Sequence, residues 1–246
     1  MVPQSSRIKH IFLSIKYLVI IIALLSALFP ACADKGFVKK VQASEMKEGA
    51  VIEGETKAGD EAVERTSDYW FERGSSYEKE ARFKEAKDAF KEAVKLDPDF
   101  AQAHYHLGLA YRELGDMNFA LRAFEEAKRI NPDLEEVHYS LGLVNMEMGL
   151  DQAAIQAFKD VLRINPGNAD AHYKIGKVYL GQHSKKEAKL AFVEATNIRP
   201  DFAEAHYELG SIYIMFNDID SAFDEYRLLI DLDRKLAYKL FNQIYK

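Results

Sequence analysis

A His-Tyr pair occurs four times in the chain, at His104, His138, His172 and His206, each 34 residues from the next. No other property limits the fold as much. A fixed period of this length marks one supersecondary unit that cannot bury its apolar face alone and must stack on its neighbours. Stepping by 34 from residue 67 gives five blocks: 67–100, 101–134, 135–168, 169–202 and 203–236. The eighth place is always glycine (Gly74, Gly108, Gly142, Gly176, Gly210), and the twentieth always alanine (Ala86, Ala120, Ala154, Ala188, Ala222). The twenty-fourth is Phe90, Phe124, Phe158, Phe192 and then Tyr226. The thirty-second is Pro98, Pro132, Pro166, Pro200 and then Arg234.

Each block has the apolar spacing of two amphipathic helices. In the second, AQAHYHLGLAYREL breaks at Gly115, and MNFALRAFEEAKRI stops at Asn131-Pro132. Proline lacks an amide hydrogen and fixes φ, so it ends one helix and turns the chain toward the next. Glycine at place eight and alanine at place twenty remove bulk where paired helices approach, and the ring at place twenty-four fills the wedge beside them. The 13 glycines and 6 prolines in 246 residues are few for a β-rich fold with many tight turns. The expected class is all-α.

These places resemble the tetratricopeptide repeat: small residues at eight, twenty and twenty-seven, an aromatic at twenty-four, proline at thirty-two, and Trp70 at place four of the first block. Place twenty-seven departs at Val161 and Leu229, and the fifth block lacks the proline. The resemblance implies an α-solenoid of tandem helix-turn-helix repeats over 67–236. Residues 237–246 are expected to form a capping helix with Leu236, Leu240 and Ile244 in one apolar stripe, since the last repeat of such an array needs a cover.

The amino-terminal part has a different character. Arg7, Lys9 and Lys16 precede YLVIIIALLSALF (Tyr17–Phe29), followed by Pro30 and the small residues Ala31 and Ala33. As a helix, thirteen residues at ~1.5 Å each span ~20 Å, short of a ~30 Å hydrocarbon core. The pattern suits a secretory signal peptide in residues 1–33, cleaved after Ala33. Two other fates stay open: a retained membrane anchor within residues 11–32, or lipidation at Cys32. Cys32 is the only cysteine and stands where bacterial lipoproteins are cleaved and acylated, with Pro30 at a place those signals fill with a small or apolar residue. An exported, periplasmic or otherwise extracytoplasmic location is expected. Residues 34–66 hold one aromatic and fourteen charges with no sustained period, which predicts a flexible polar linker.

Charge and motif content narrow the function. The net charge is −6, and residues 67–246 carry 24 basic and 31 acidic side chains with no basic stripe, a poor match for nucleic acid. There is no G-x-S-x-G, Walker loop, H-E-x-x-H or C-x-x-C-H, and the repeats use nearly all the foldable chain, so no enzyme, no cofactor and no metal is expected. The histidine row is the rival, as a metal-dependent enzyme. With packed helices ~8–10 Å apart, the first and fourth histidines lie ~25–30 Å apart. Zinc ligands sit at ~2 Å, so the row cannot share one ion. In the family, place four packs between the helices of a repeat, which makes these rings structural.

The resemblance also implies that the first helix of each pair lines a concave groove through places two, five, nine, twelve and thirteen. The expected partner-binding residues are Phe71, Tyr105, Tyr139, Tyr173 and Tyr207 at place five, Leu109, Leu143 and Lys177 at place nine, and Met146 and Ile214 at place twelve. Place two is Asp68, Gln102, Glu136, Asp170 and Glu204, a mostly acidic rim. Tyrosine and methionine supply adaptable apolar area at interfaces. The partner expected is an extended or helical protein segment, apolar with basic flanks, and a competing reading has the place-five rings merely packing on their neighbours. The lysine and asparagine of the chaperone-tail clamp are absent from places five and nine, and so is the place-six asparagine ladder of glycosyltransferase-associated repeats. In length and layout the chain is similar to tetratricopeptide lipoproteins of type IV pilus assembly. The expected role is a non-enzymatic protein-interaction scaffold of the bacterial envelope, with a self-associating homo-oligomer as the alternative.

Overall fold

The computed structural model describes residues 65–245. The signal or anchor segment, Cys32 and all but the end of the linker lie outside the described residues. Eleven helices follow one another without a strand among the described residues. They are α1 (Ser67–Lys79), α2 (Phe83–Leu96), α3 (Ala101–Glu113), α4 (Met117–Ile130), α5 (Glu135–Glu147), α6 (Asp151–Ile164), α7 (Ala169–Gly181), α8 (Lys185–Ile198), α9 (Ala203–Met215), α10 (Ile219–Leu232) and α11 (Arg234–Ile244). The first helices of the five repeats all have 13 residues and the second helices 14, so the sequence period is also the structural one. Each helix packs on the next, and the stack is an all-α solenoid.

The seam within a repeat is a glycine against a ring. A Cβ built on Gly74, Gly108, Gly142 or Gly176 would fall 2.5–2.7 Å from an edge carbon of Phe90, Phe124, Phe158 or Phe192, closer than real Cβ atoms approach carbon. All four phenyl rings are fully buried. Burying a phenylalanine side chain contributes ~1.5–3 kcal/mol. The glycine lets the helices close on each ring.

The two helices of a repeat meet at a left-handed residue in place fifteen: Ala81, Gly115, Gly149, His183 and Asn217, with φ between 56° and 81°. Only two of the five are glycine, so the turn is imposed by helix packing and not by local preference alone. His183, a turn residue by sequence, occupies this strained position at φ 58°.

The fifth repeat closes differently. With Arg234 in place of proline, Asp233 is both the last cap of α10 and the first of α11, its carboxylate accepting from the amides of Lys235 (2.8 Å) and Leu236 (3.1 Å). The final helix therefore begins at Arg234, three residues before the start predicted at 237. It takes the position a sixth first helix would hold, against α9 and α10. Gly210 faces Leu240 of this helix, not the ring at place twenty-four. Tyr226, expected to fill that wedge, lies half-buried against Phe241, with ring centroids 5.6 Å apart.

Candidate functional site

The first helices carry the place-five rings along one face. Each ring leans on the phenyl group of its own repeat: Phe71 on Phe90 (5.8 Å), Tyr105 on Phe124 (5.8 Å), Tyr139 on Phe158 (5.5 Å) and Tyr173 on Phe192 (5.6 Å). The rings thus do two things at once, covering the core with one side and remaining half-exposed on the other. Burial pushes the Tyr173 hydroxyl up to about 12, with Glu208 and Glu204 adding to the effect. Burial likewise raises Tyr105 and Tyr139, Asp170 contributing at Tyr139 and a Ser140 hydrogen bond opposing at Tyr105. All three stay protonated hydrogen-bond donors across ordinary pH.

Two hollows open along this face. One, of about 420 Å³, is lined by Tyr105, Glu135, Glu136, Tyr139, Ser140, Asn168 and Asp170. The next, of about 440 Å³, is lined by Tyr139, Asp170, Tyr173, Lys174, Arg199, Asp201, Phe202 and Glu204. Tyr139 and Asp170 belong to both, so the hollows form one continuous track. Place thirty-four varies along it. Phe100 and Phe202 cover Phe71 and Tyr173 at 4.9 Å, whereas the third repeat has Asn168 there. Asn168 instead caps α7 through the Ala171 amide (2.8 Å) and donates to Glu135.

The track is acidic with basic pins. Arg199 reaches both carboxylate oxygens of Asp170, one at 3.3 Å. Lys177 binds Glu208 at 2.7 Å and Arg112 lies 3.4 Å from Glu147, each tying one repeat to the next. Glu136 and Glu204 are exposed and take no ion-pair partner among the described residues.

The structure brings Tyr105, Tyr139 and Tyr173 together on this track, with Leu109, Leu143 and Met146 half-buried on the same helices. Tyr207 and Ile214 are half-buried as well, with a neighbour the other repeats lack. Both pack under α11, where the Tyr207 hydroxyl accepts from Gln243 at 2.8 Å and Gln243 in turn accepts from Ser211. The terminal helix thus adds a neighbour at this end of the face, where both residues stay half-buried as Tyr105 and Tyr139 do. Phe71, at the other end, sits between Phe90, Phe100 and His106. Sequence reasoning missed Arg199, whose partner Asp170 is 29 residues away. It also missed the partner of His106, Glu78 in the preceding repeat, at 2.8 Å. The only signal for either was opposite charge one repeat apart.

The histidine row has a structural explanation. The Nε2 atoms of His104, His138 and His206 donate to the carbonyls of Pro98, Pro132 and Pro200 at 2.9, 2.8 and 3.0 Å. Proline ends the preceding helix and leaves its own carbonyl without a helical amide, and the histidine one turn into the next helix satisfies it. His172 makes no such bond among the described residues, and burial lowers its pKa. No group of three potential metal ligands is assembled among the described residues, and no described helix is long and apolar enough to cross a membrane.

Family models match the repeats. One described as tetratricopeptide repeat covers residues 71–135 and 173–237, and another described as TPR repeat covers 151–182. No curated protein matches the sequence. Among solved structures, MamA aligns with a TM-score of 0.64 at 26% identity, over 71% of this chain and 95% of its own. YrrB, described as a TPR protein with an unusual peptide-binding site, aligns with a TM-score of 0.62 at 22% identity, over 76% of this chain and 97% of its own. PilF of Pseudomonas aeruginosa aligns with a TM-score of 0.60 at 17% identity, over 73% and 87%. The last two likenesses establish a shared fold.

Proposed function

Because the chain belongs to the tetratricopeptide repeat family, we propose that it is a non-enzymatic scaffold of the bacterial envelope that holds a segment of a partner protein in the concave track along its first helices. The observation that carries this reading is the continuity of the two hollows through Tyr139 and Asp170. Half-exposed tyrosines supply apolar contact with little side-chain entropy to lose, and the exposed Glu136 and Glu204 favour a segment with basic flanks. The peptide-binding site named for YrrB lends support from a protein of like fold. The envelope placement, and a part in assembling a pilus or secretion machine, draw on the leader: a basic start, an apolar run and Cys32 among small residues.

The test replaces Tyr139 and Tyr173 by alanine together. Both rings also cover buried phenylalanines, so helicity is checked first by circular dichroism. Crosslinked capture of partners from the membrane fraction should then be lost in the folded double variant. Undiminished capture would remove the track from the function.

Self-association is the second reading, and the last repeat favours it. Tyr238 and Tyr245 of the terminal helix are 68% and 66% exposed, and Ile230 and Leu232 of α10 are exposed too. Tyr226, Ile230, Ala237, Tyr238 and Phe241 frame a shallow hollow there. Exposed apolar patches of this kind mark contact surfaces. Light scattering of the purified protein across a concentration series should show a mass rising above one chain, and a Tyr238→Glu variant should not rise. A mass constant at one chain would exclude it.

A further inference from the structure

Place eleven of the first helices is tyrosine in four repeats, Tyr77, Tyr111, Tyr179 and Tyr213, but Asn145 in the third. In the second repeat the Tyr111 ring is stacked on Phe119 at 5.2 Å and faced by the Lys91 ammonium at 5.6 Å. The residues one period later, Ala153 and Glu125, stand beside Asn145 with no ring between them. What remains is a cavity of about 240 Å³ between α4, α5 and α6, with Leu121, Leu141 and Ala157 as apolar walls. It is smaller than the ~300–1,000 Å³ of clefts that take whole ligands, and suits a single ring. Asn145 is 7% exposed, lines this cavity, and its carboxamide has no hydrogen-bond partner among the described residues. Its amide atoms keep contact with solvent through the mouth of the cavity, His138 Nδ1 being the one sealed side-chain atom without a partner among the described residues, and so they are free to meet a ligand's hydroxyl. The cavity reaches the surface beside exposed Glu125 and Gln156.

We propose that this vacancy is a second docking site, taking the tyrosine side chain of a partner protein into the slot that the other repeats fill from within. A phenol matches both demands: its ring replaces the missing one between apolar walls, and its hydroxyl donates to and accepts from the Asn145 carboxamide. Asn145 is six residues beyond Tyr139, about 240° round the helix at ~100° per residue, so the slot lies on a different face from the tyrosine track. The two sites can therefore fail independently.

The experiment titrates p-cresol and N-acetyltyrosinamide into the full-length protein, wild type and Asn145→Tyr, and follows line broadening of each probe by NMR. Both probes should broaden with wild type and neither with the variant, whose own ring fills the slot. Should Asn145→Tyr fail to fold, Ala153→Leu narrows the same space from the opposite wall and should abolish broadening too. Equal broadening with wild type and variant would overturn the site. So would no broadening with wild type, and a rise in melting temperature for Asn145→Tyr in that case would identify a hydrated gap. Broadening of p-cresol alone would overturn the partner side chain in favour of a free phenol.

Discussion

Replacing Phe158 by alanine is expected to cost about 3–5 kcal/mol of unfolding free energy, the range for truncating a buried large aromatic. The ring is fully buried, supports Tyr139 at 5.5 Å and meets the open side of Gly142. The void falls in the middle repeat, and a stack in which each repeat touches only its neighbours has no other route by which to bridge it. Urea unfolding followed by circular dichroism measures the loss, with Phe119→Ala, at 52% exposure, as the control of small effect. A loss for Phe158→Ala no larger than the control would contradict the wedge. Gly142→Ala sharpens the test. Alone it should destabilise, because the new Cβ lands 2.5 Å from Phe158 Cε1. With Phe158→Ala already present the clash is gone, and the same change should stabilise by up to ~1 kcal/mol through better helix propensity. That reversal of sign is the signature of direct contact, with coupling of ~0.5–3 kcal/mol expected for touching residues.

The second large effect depends on pH. Both ring nitrogens of His206 face acceptors, Nδ1 the Glu225 carboxylate at 2.7 Å and Nε2 the Pro200 carbonyl at 3.0 Å. Only the imidazolium can donate both bonds. The Glu225 hydrogen bond accordingly raises the His206 pKa above its ordinary 6.5, against the opposing effect of burial. Folded protein then holds the proton more tightly than the unfolded chain. The stabilisation from this pair is complete below pH ~6.5 and is lost as pH rises through the higher folded value. Glu225→Gln removes the charge and should cost about 1.5–3 kcal/mol at pH 6, the range for hydrogen bonds to charged groups, and clearly less at pH 8.5. Unfolding at the two pH values, with an NMR titration of His206, checks it. An equal cost at both, or a His206 midpoint at or below 6.5, would refute the pair.

Much of the architecture was legible because it is local and repeated. Glycine at place eight, the ring at twenty-four and proline at thirty-two each impose a constraint that any copy of the motif must satisfy, and five copies leave one consistent solution. The aromatic row of the candidate track was legible for the same reason. Less visible were contacts that join residues roughly one period apart, Arg199 with Asp170 and His106 with Glu78, since a sequence displays opposite charges in plenty without showing which pairs meet. The histidines had a visible pattern and a hidden partner: the proline carbonyl they bind exists in every sequence, and only the folded turn aims it at the ring.

The extra neighbour at the last repeat and the open slot belong to tertiary structure alone. Tyr207 and Ile214 carry the same place numbers as Tyr105 and Met146, yet they pack against a terminal helix that begins three residues early, at Arg234. Asn145 is visible as a break in a column of tyrosines, but that the break leaves a cavity, and not a collapsed seam, depends on how far α4 and α6 are held apart. The amino-acid sequence by itself determined the helix pairs, their period and their order, because short-range sterics and apolar spacing act within each repeat. Which faces stay open is decided by packing between repeats, where the same residue type is buried or exposed according to what its neighbour leaves uncovered.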